Sequence, residues 1–333
     1  MKFLVTGGLG FIGSNFIRYM LSRPDDIQIT NLDKLSIGSN PANLKDFETD
    51  KRYRFVKGDI AERKLVKNLV NKVDVIVNIA AETHVDRSIS NPGPFFESNT
   101  RGTFNLLDAA RKANIEDFVH VSTDEIYGAT PQVTSFKESD TLNPSNPYSA
   151  SKAAADMFVI AYHETYSLKT IITRCTNNFG PYQFPEKLIP KAIIRALLNQ
   201  TIPVYGSGKQ IRDWIYVTDH CEAIDLALKK GSAGEIYNIS AGNEIENIKV
   251  AELILNLLGK PKEMIQSVED RPGHDVRYSL DSSKIRTELG WKPKHSFEEA
   301  LKQTVDWYVK NEWWWKPLAT KKTLHSTPWK LQW

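Results

Sequence analysis

The stretch Lys2-Phe-Leu-Val-Thr-Gly-Gly-Leu-Gly-Phe-Ile-Gly13, KFLVTGGLGFIG, decides the fold. A short apolar run breaks into glycines at Gly7, Gly10 and Gly13, and FIGSNFIRYMLS (11–22) then takes up an apolar period near that of a helix. Glycines at a strand-to-helix turn let the backbone bend tightly and approach a pyrophosphate, whose charge sits against the helix N-terminus. Asp33 ends the next apolar run, twenty residues beyond Gly13. A carboxylate there accepts hydrogen bonds from an adenosine ribose diol and repels a 2′-phosphate, which favours NAD over NADP.

Outward from this turn, short β-branched runs alternate with helical patterns: IQITNLD (27–33), YRFVKGD (53–59), DVIVNIA (74–80), FVHVSTD (118–124) and TIITRCTN (170–177). Between them lie predicted helices at 95–113 and 148–166. Such alternation means right-handed βαβ units on a parallel sheet. The expected fold is α/β: a Rossmann-type doubly wound parallel sheet with a second, smaller α/β substrate-binding domain. The NAD-binding domain is expected at 1–177, rejoined by about 214–240. The segments 178–213 and 241–333 would form the nucleotide-sugar-binding domain. In the irregular part, PVYGSGKQIRDW (203–214) reads as a loop followed by a short strand, and the Trp-rich NEWWWKPL (311–318) as a segment packed on the body or at a subunit interface.

Composition narrows the function classes. Charged residues are 25% and apolar residues 41% of 333, and 43 basic against 40 acidic residues leave a net charge of only +3. That balance argues against a nucleic-acid or membrane binder, and any acidic ligand must be met by local charge. Cys175 and Cys221 lie outside any metal-ligand spacing, so they read as buried thiols of a reducing compartment, with no metal site. With no secretory pattern at the start and no apolar run near the ~18 residues of a membrane span, a cytoplasmic protein is expected.

Tyr148-Ser-Ala-Ser-Lys152 opens a helix after Pro144 and Pro147, which puts Tyr148 and Lys152 one turn apart on one face. An ammonium so placed is expected to lower the phenol's pKa from ~10 by about 1–3 units and make it a base near neutral pH. Asp59 and Ala80-Ala81-Glu82-Thr83 fall at C-terminal strand ends, where open α/β sheets bind ligands, although Asp59 also reads as a helix-capping turn acid. With the glycine loop, Asp33 and Ser122-Thr123, the pattern resembles the extended short-chain dehydrogenase/reductase family from Met1 to at least His274. The resemblance implies a nicotinamide facing Tyr148 and a nucleotide-sugar in the smaller domain.

VSTDEIYG (121–128) sharpens the reading, because oxidising a carbinol does not need Asp124 and Glu125. Elimination of water does. Once a sugar's C4 is a ketone, its C5 hydrogen is acidic; one carboxylate removes it while a neighbouring carboxylic acid protonates the departing C6 hydroxyl. Closeness of two acids encourages unlike protonation states. The blocks AAETHVDRSI (80–89), STDEIYG (122–128), YSASK (148–152), RCTNNFGPYQFPEKLIP (174–190), PVYGSGKQIRDWIYV (203–217) and EDRPGHDVRY (269–278) together resemble the dTDP-glucose 4,6-dehydratases. Thr83 stands where those enzymes commonly carry Ser, and Phe179 where Tyr is common.

Carried over, the resemblance implies Asp124 as the acid at C6, Glu125 as the base at C5 and Tyr148 as the base for oxidation at C4. Thr123 would hold the C4 oxygen, and Lys152 the nicotinamide ribose. NAD would lie on the loop Gly7, Gly10, Phe11, Ile12 and Gly13, with Asp33, Lys34, Leu35 and Ser36 around the adenosine. Asp59 and Ile60, then Ala80, Ala81, Glu82 and Thr83, and finally Ser98 and Asn178 would complete that site. The sugar nucleotide would meet Thr83, Asn177, Lys187 and Leu188, then Pro203-Val204-Tyr205, and finally Arg212, Asn247, Arg271 and His274. Independently of kinship, Lys187, Arg212 and Arg271 supply the local positive charge a diphosphate needs. A homodimer through two helices per subunit is the family expectation, with 95–113 and 148–166 as suitable helices. The rival readings are another NAD-dependent nucleotide-sugar enzyme of the superfamily, whether a 4,6-dehydratase acting on a UDP, CDP or GDP sugar, a UDP-sugar 4-epimerase or a decarboxylase, and a catalytically silent NAD-binding protein.

Overall fold

The structure, a computed structural model, describes residues 1–130 and 133–333. Its first half runs β1 (Lys2–Thr6), α1 (Phe11–Leu21), β2 (Gln28–Asp33), β3 (Tyr53–Lys57), α2 (Arg63–Val70), β4 (Val75–Asn78), α3 (Val85–Ser90), α4 (Gly93–Phe95), α5 (Thr103–Ala113), β5 (Asp117–Thr123), α6 (Pro147–Tyr166) and β6 (Thr170–Cys175). The second half continues with β7 (Asn177–Phe179), α7 (Leu188–Leu197), β8 (Ile202–Tyr205), β9 (Ile211–Tyr216), α8 (Val217–Lys230), β10 (Ile236–Ile239) and β11 (Glu244–Glu246). Then come α9 (Asn247–Leu257), β12 (Ile265–Val268), α10 (Ser283–Leu289), α11 (Phe297–Lys310) and α12 (Glu312–Trp315).

Seven strands make one parallel sheet in the order β10-β6-β5-β4-β1-β2-β3. The chain reverses its direction of travel at β1, where Val5 pairs with Asn31 on one side and Val77 on the other. This is the switch point at which open α/β sheets bind ligands beyond the strand C-termini. Continuous apolar runs form these strands because helices cover both faces. Along β1, Phe3 and Val5 join the core under α1 and α8, whereas Leu4 joins the core under α2, α5 and α6. A third core, built around Phe179, Ile193, Trp214, Ile254 and Tyr308, supports the small sheet β11-β9-β7 and the pair β12-β8. Phe179 is fully buried there against Trp214, Tyr216 and Phe297, so the departure from Tyr is a packing choice.

Two local expectations change. The predicted helix 95–113 is not one regular helix: α4 passes into a π-helical turn, Phe96–Gly102, before α5. That wider turn lets Asn99 accept from the Glu82 backbone N–H and donate to Ser151 Oγ, while Thr100 donates to the Ser151 carbonyl, so side-chain bonds to α6 outweigh regular helix geometry. The 203–214 stretch contains β8 as well as β9, because β12, far along the chain, pairs with it. Among the described residues no helix is long and apolar enough to cross a membrane, no cluster of three or more His, Cys, Asp or Glu side chains could hold a metal ion, and both cysteines are free and buried.

Candidate active site

The glycine loop is the tightest part of the site. Gly7 has a φ of +70°, and a Cβ there would stand 2.6 Å from Ala80 Cα. A Cβ on Gly13 would stand 2.2 Å from the Gly7 carbonyl oxygen. The loop therefore packs β1 against the start of α1 closely enough that only glycine fits. Gly10 caps α1 in an extended conformation without a side-chain bond to the first turn, which leaves its N–H groups to an anion. Asp33, buried, accepts from the Leu9 N–H at 3.0 Å, the Leu35 N–H at 2.8 Å and Ser39 Oγ at 2.8 Å. These donors keep the carboxylate aimed at the cleft.

A cleft opens over this turn. It is lined by the expected Gly7, Gly10, Phe11, Ile12 and Gly13, by Asp33, Lys34 and Ser36, and by Asp59 and Ile60. Farther along its wall come Ala80, Ala81, Thr83 and Ser98, then Thr123, Asp124, Glu125, Tyr148, Lys152 and Asn178. Asp59 keeps both of its readings: it lines the cleft and accepts from the Ala61 N–H at 2.9 Å. Leu35 and Glu82 do not line it. Leu35 adopts a left-handed φ of 61° and packs on the core under α1, and Glu82 is turned aside by Lys34 at 3.2 Å and Arg87 at 3.1 Å.

A second cavity joins the first through Glu125, Asn177, Glu186 and Lys187, which face both. It gathers the predicted Leu188, Pro203, Val204, Tyr205, Arg212, Asn247, Arg271 and His274. Sequence reasoning missed His84, Asp86, Glu186, Lys191, Trp214 and Tyr278, which line it as well. Lys191 was within reach: it stands one helical turn beyond Lys187 on α7. Asp86 gave no such signal, since its role comes from receiving Arg271 across 185 residues of chain, at 3.0 Å. Buried polar atoms without a protein partner collect on these walls: Asp124 Oδ2, Glu125 Oε2, Asn177 Oδ1, Asn247 Oδ1 and Arg271 Nε. Buried groups of this kind are rare in a finished core and fit a polar ligand.

Thr123 ends β5 and caps the turn Asp124–Tyr127, accepting from the Glu125 N–H and donating to Asp124 Oδ1 at 3.1 Å. The two acids then meet different fields. Burial, and next the charge of Glu125, hold the Asp124 carboxyl well above the usual carboxylate range. Burial also raises Glu125, but Arg271, Lys187 and Arg212 pull it back. Both acids are raised, Asp124 the more strongly, so the pair is biased toward unlike proton affinities.

The Tyr148–Lys152 pair departs from expectation. An Asn146–Ser149 capping box starts α6 and fixes both residues in its first turns. The Lys152 ammonium, however, donates to the Val121 carbonyl at 2.7 Å and lies 3.4 Å from His120 Nε2. Burial and then the charge of Glu125 push the Tyr148 phenol well above its ordinary range. Burial brings Lys152 down to about 8. Tyr148 and Lys152 stand one helical turn apart, but the Lys152 ammonium is hydrogen-bonded to a backbone carbonyl and not to the phenol.

The GDP-mannose 4,6 dehydratase family model matches residues 4–304. A dTDP-glucose 4,6-dehydratase from Streptomyces niveus is 47% identical over 332 residues, covering 98% of each chain. The low-salt glycan biosynthesis protein Agl12 from Haloferax volcanii is 52% identical over 309 residues, 93% of this chain and 99% of its own. Among solved structures, a dTDP-glucose 4,6-dehydratase from Streptomyces venezuelae, determined with NAD bound, has a TM-score of 0.94 at 47% identity, covering 96% of this chain and 100% of that one.

Proposed function

The chain belongs to the GDP-mannose 4,6-dehydratase family and, within it, to the dTDP-glucose 4,6-dehydratases, and from that premise we propose the reaction and the part each residue plays in it. The protein is an NAD-dependent hydro-lyase that converts dTDP-glucose to dTDP-4-keto-6-deoxyglucose. The observation that carries this reading is the buried Asp124–Glu125 pair, whose two carboxyls both line the first cavity while Glu125 also faces the second, and whose surroundings raise Asp124 more strongly than Glu125.

Gly7, Gly10, Gly13 and Asp33 would hold NAD, which when bound accepts a hydride and returns it. Tyr148, which lines the cleft beside Thr123, takes the proton of the C4 hydroxyl. Glu125, kept chargeable by three cations, removes the proton at C5. Asp124, the more strongly raised of the two acids, delivers its proton to the C6 hydroxyl as water leaves, and Glu125 then protonates C5. Lys187, Lys191, Arg212 and Arg271 supply positive charge for the diphosphate in a chain whose net charge is only +3. Phe96, Met157, Phe158 and Tyr166 are exposed on the π turn and α6, which supports a homodimer formed through these helices. The working form is then a cytoplasmic homodimer.

Turnover in deuterated water tests the reaction. The product should carry deuterium at C5, and its absence there refutes the elimination step. Glu125→Gln should block elimination while sparing oxidation, so that reduced nicotinamide absorbance persists after dTDP-glucose is added; a variant that turns over normally removes Glu125 from the base role.

A further inference from the structure

The last residues of the chain lie beyond the segment matched by the family model, and they line neither cavity. They nevertheless touch the outer side of the second cavity at several points. The short turn Pro328–Lys330 packs on α3. Trp329, buried, meets Tyr205 edge-on with ring centres 4.9 Å apart. Tyr205 donates its hydroxyl to Asp86 Oδ2 at 2.9 Å, and Asp86 Oδ1 accepts from Arg271 at 3.0 Å. Lys330 pairs with Glu269, two residues before Arg271. Lys191 donates to the His325 carbonyl at 3.2 Å. At the end of the chain, the Arg87 guanidinium lies 5.6 Å over the Trp333 ring while its other nitrogens pair with Glu82 and Glu186.

These contacts share one direction. Asp86 binds Tyr205 with one oxygen and Arg271 with the other, so the angle of the Arg271 side chain depends on where Tyr205 is held. Tyr205 has Trp329 on one side and His274 on another, with ring centres 6.1 Å apart. Removing the indole frees the phenol, and the freed phenol loosens the carboxylate that aims Arg271. We propose that the C-terminal segment 316–333 is a strap in which Trp329 acts as a positioning residue: through Tyr205 and Asp86 it holds Arg271 at the angle needed to receive the diphosphate of the sugar nucleotide. The proposal rests on the substrate reading above. It adds that binding of the diphosphate depends on a side chain that never touches it.

The test compares Trp329→Ala and Trp329→Phe in the full chain. The alanine variant should raise the KM for dTDP-glucose about tenfold with kcat within about twofold, the pattern of lost ground-state binding. Calorimetry with dTDP alone should show a parallel loss of affinity, and phenylalanine should restore most of both. A folded alanine variant with wild-type KM and dTDP affinity overturns the strap, as does a fall in kcat at unchanged KM. If the wild type itself turns over no dTDP-glucose, the substrate reading has failed instead. The strap is then decided by hydrogen exchange, which Trp329→Ala should accelerate in residues 82–91 and 269–276 and leave unchanged if the strap is wrong. Should the alanine variant not fold, Trp329→Leu, which keeps most of the bulk without the ring edge, carries the same comparisons.

Discussion

Asp124 and Glu125 are neighbours in sequence and opposites in surroundings. That two acids end an apolar strand is visible in the sequence. Which of them has the higher proton affinity is not, because the cations that pull Glu125 back, Lys187, Arg212 and Arg271, arrive from three distant segments. The Tyr148 phenol is a similar case: its spacing to Lys152 is legible, whereas the carbonyl of Val121 that captures the ammonium becomes a neighbour only when β5 and α6 pack. The buried Asp124 carboxyl has a stability cost with a definite sign. Its folded pKa lies above its ordinary 3.8, so its favourable contribution is complete below that value and is lost as pH rises through the folded pKa. Asparagine removes this dependence. Asp124→Asn should therefore abolish dehydration yet raise the unfolding midpoint by roughly 2 °C near pH 8, with a smaller gain near pH 5, as followed by calorimetry across pH.

At the scale of elements, the strand-turn-helix at the start of the chain was readable because glycine spacing, strand end and helix start all report one constraint, the closeness of β1 to α1. Gly13→Ala tests that constraint, since its Cβ would meet backbone rather than a movable side chain. The variant should lose about 1–3 kcal/mol of stability by overpacking and bind NAD at least about tenfold more weakly, measured by denaturant unfolding and by fluorescence titration. The π turn at Phe96–Gly102 was not readable. Its residues keep a helical pattern, and what widens the turn is the set of side-chain bonds from Asn99 and Thr100 to partners about 17 and 51 residues away. For the same reason β8 escaped notice, as a four-residue strand whose one partner, β12, lies some 60 residues downstream.

For the whole molecule, the end of β5 and the start of α6 bring the catalytic candidates into one cleft, and α7, β9 and the segment after β12 add the cations a sugar diphosphate requires. The apolar side chains left outside this arrangement on α6 are the ones a second copy would cover. On the proposed homodimer, sedimentation should find the unsubstituted chain at twice the monomer mass and Met157→Asp combined with Phe158→Asp as a folded monomer; a monomeric unsubstituted chain refutes the dimer, and an unchanged doubled mass in the variant places the interface elsewhere. The two cavities also divide the molecule unequally with respect to change. Glu125, Asn177, Glu186 and Lys187 form a partition that faces both chambers, whereas Pro203, Val204, Asn247 and His274 face only the outer one. Drift in the outer wall can retune which sugar nucleotide is accepted while the redox chamber stays intact. Drift in the partition disturbs both chambers at once, so new substrate preferences in this architecture should evolve from the far wall inward.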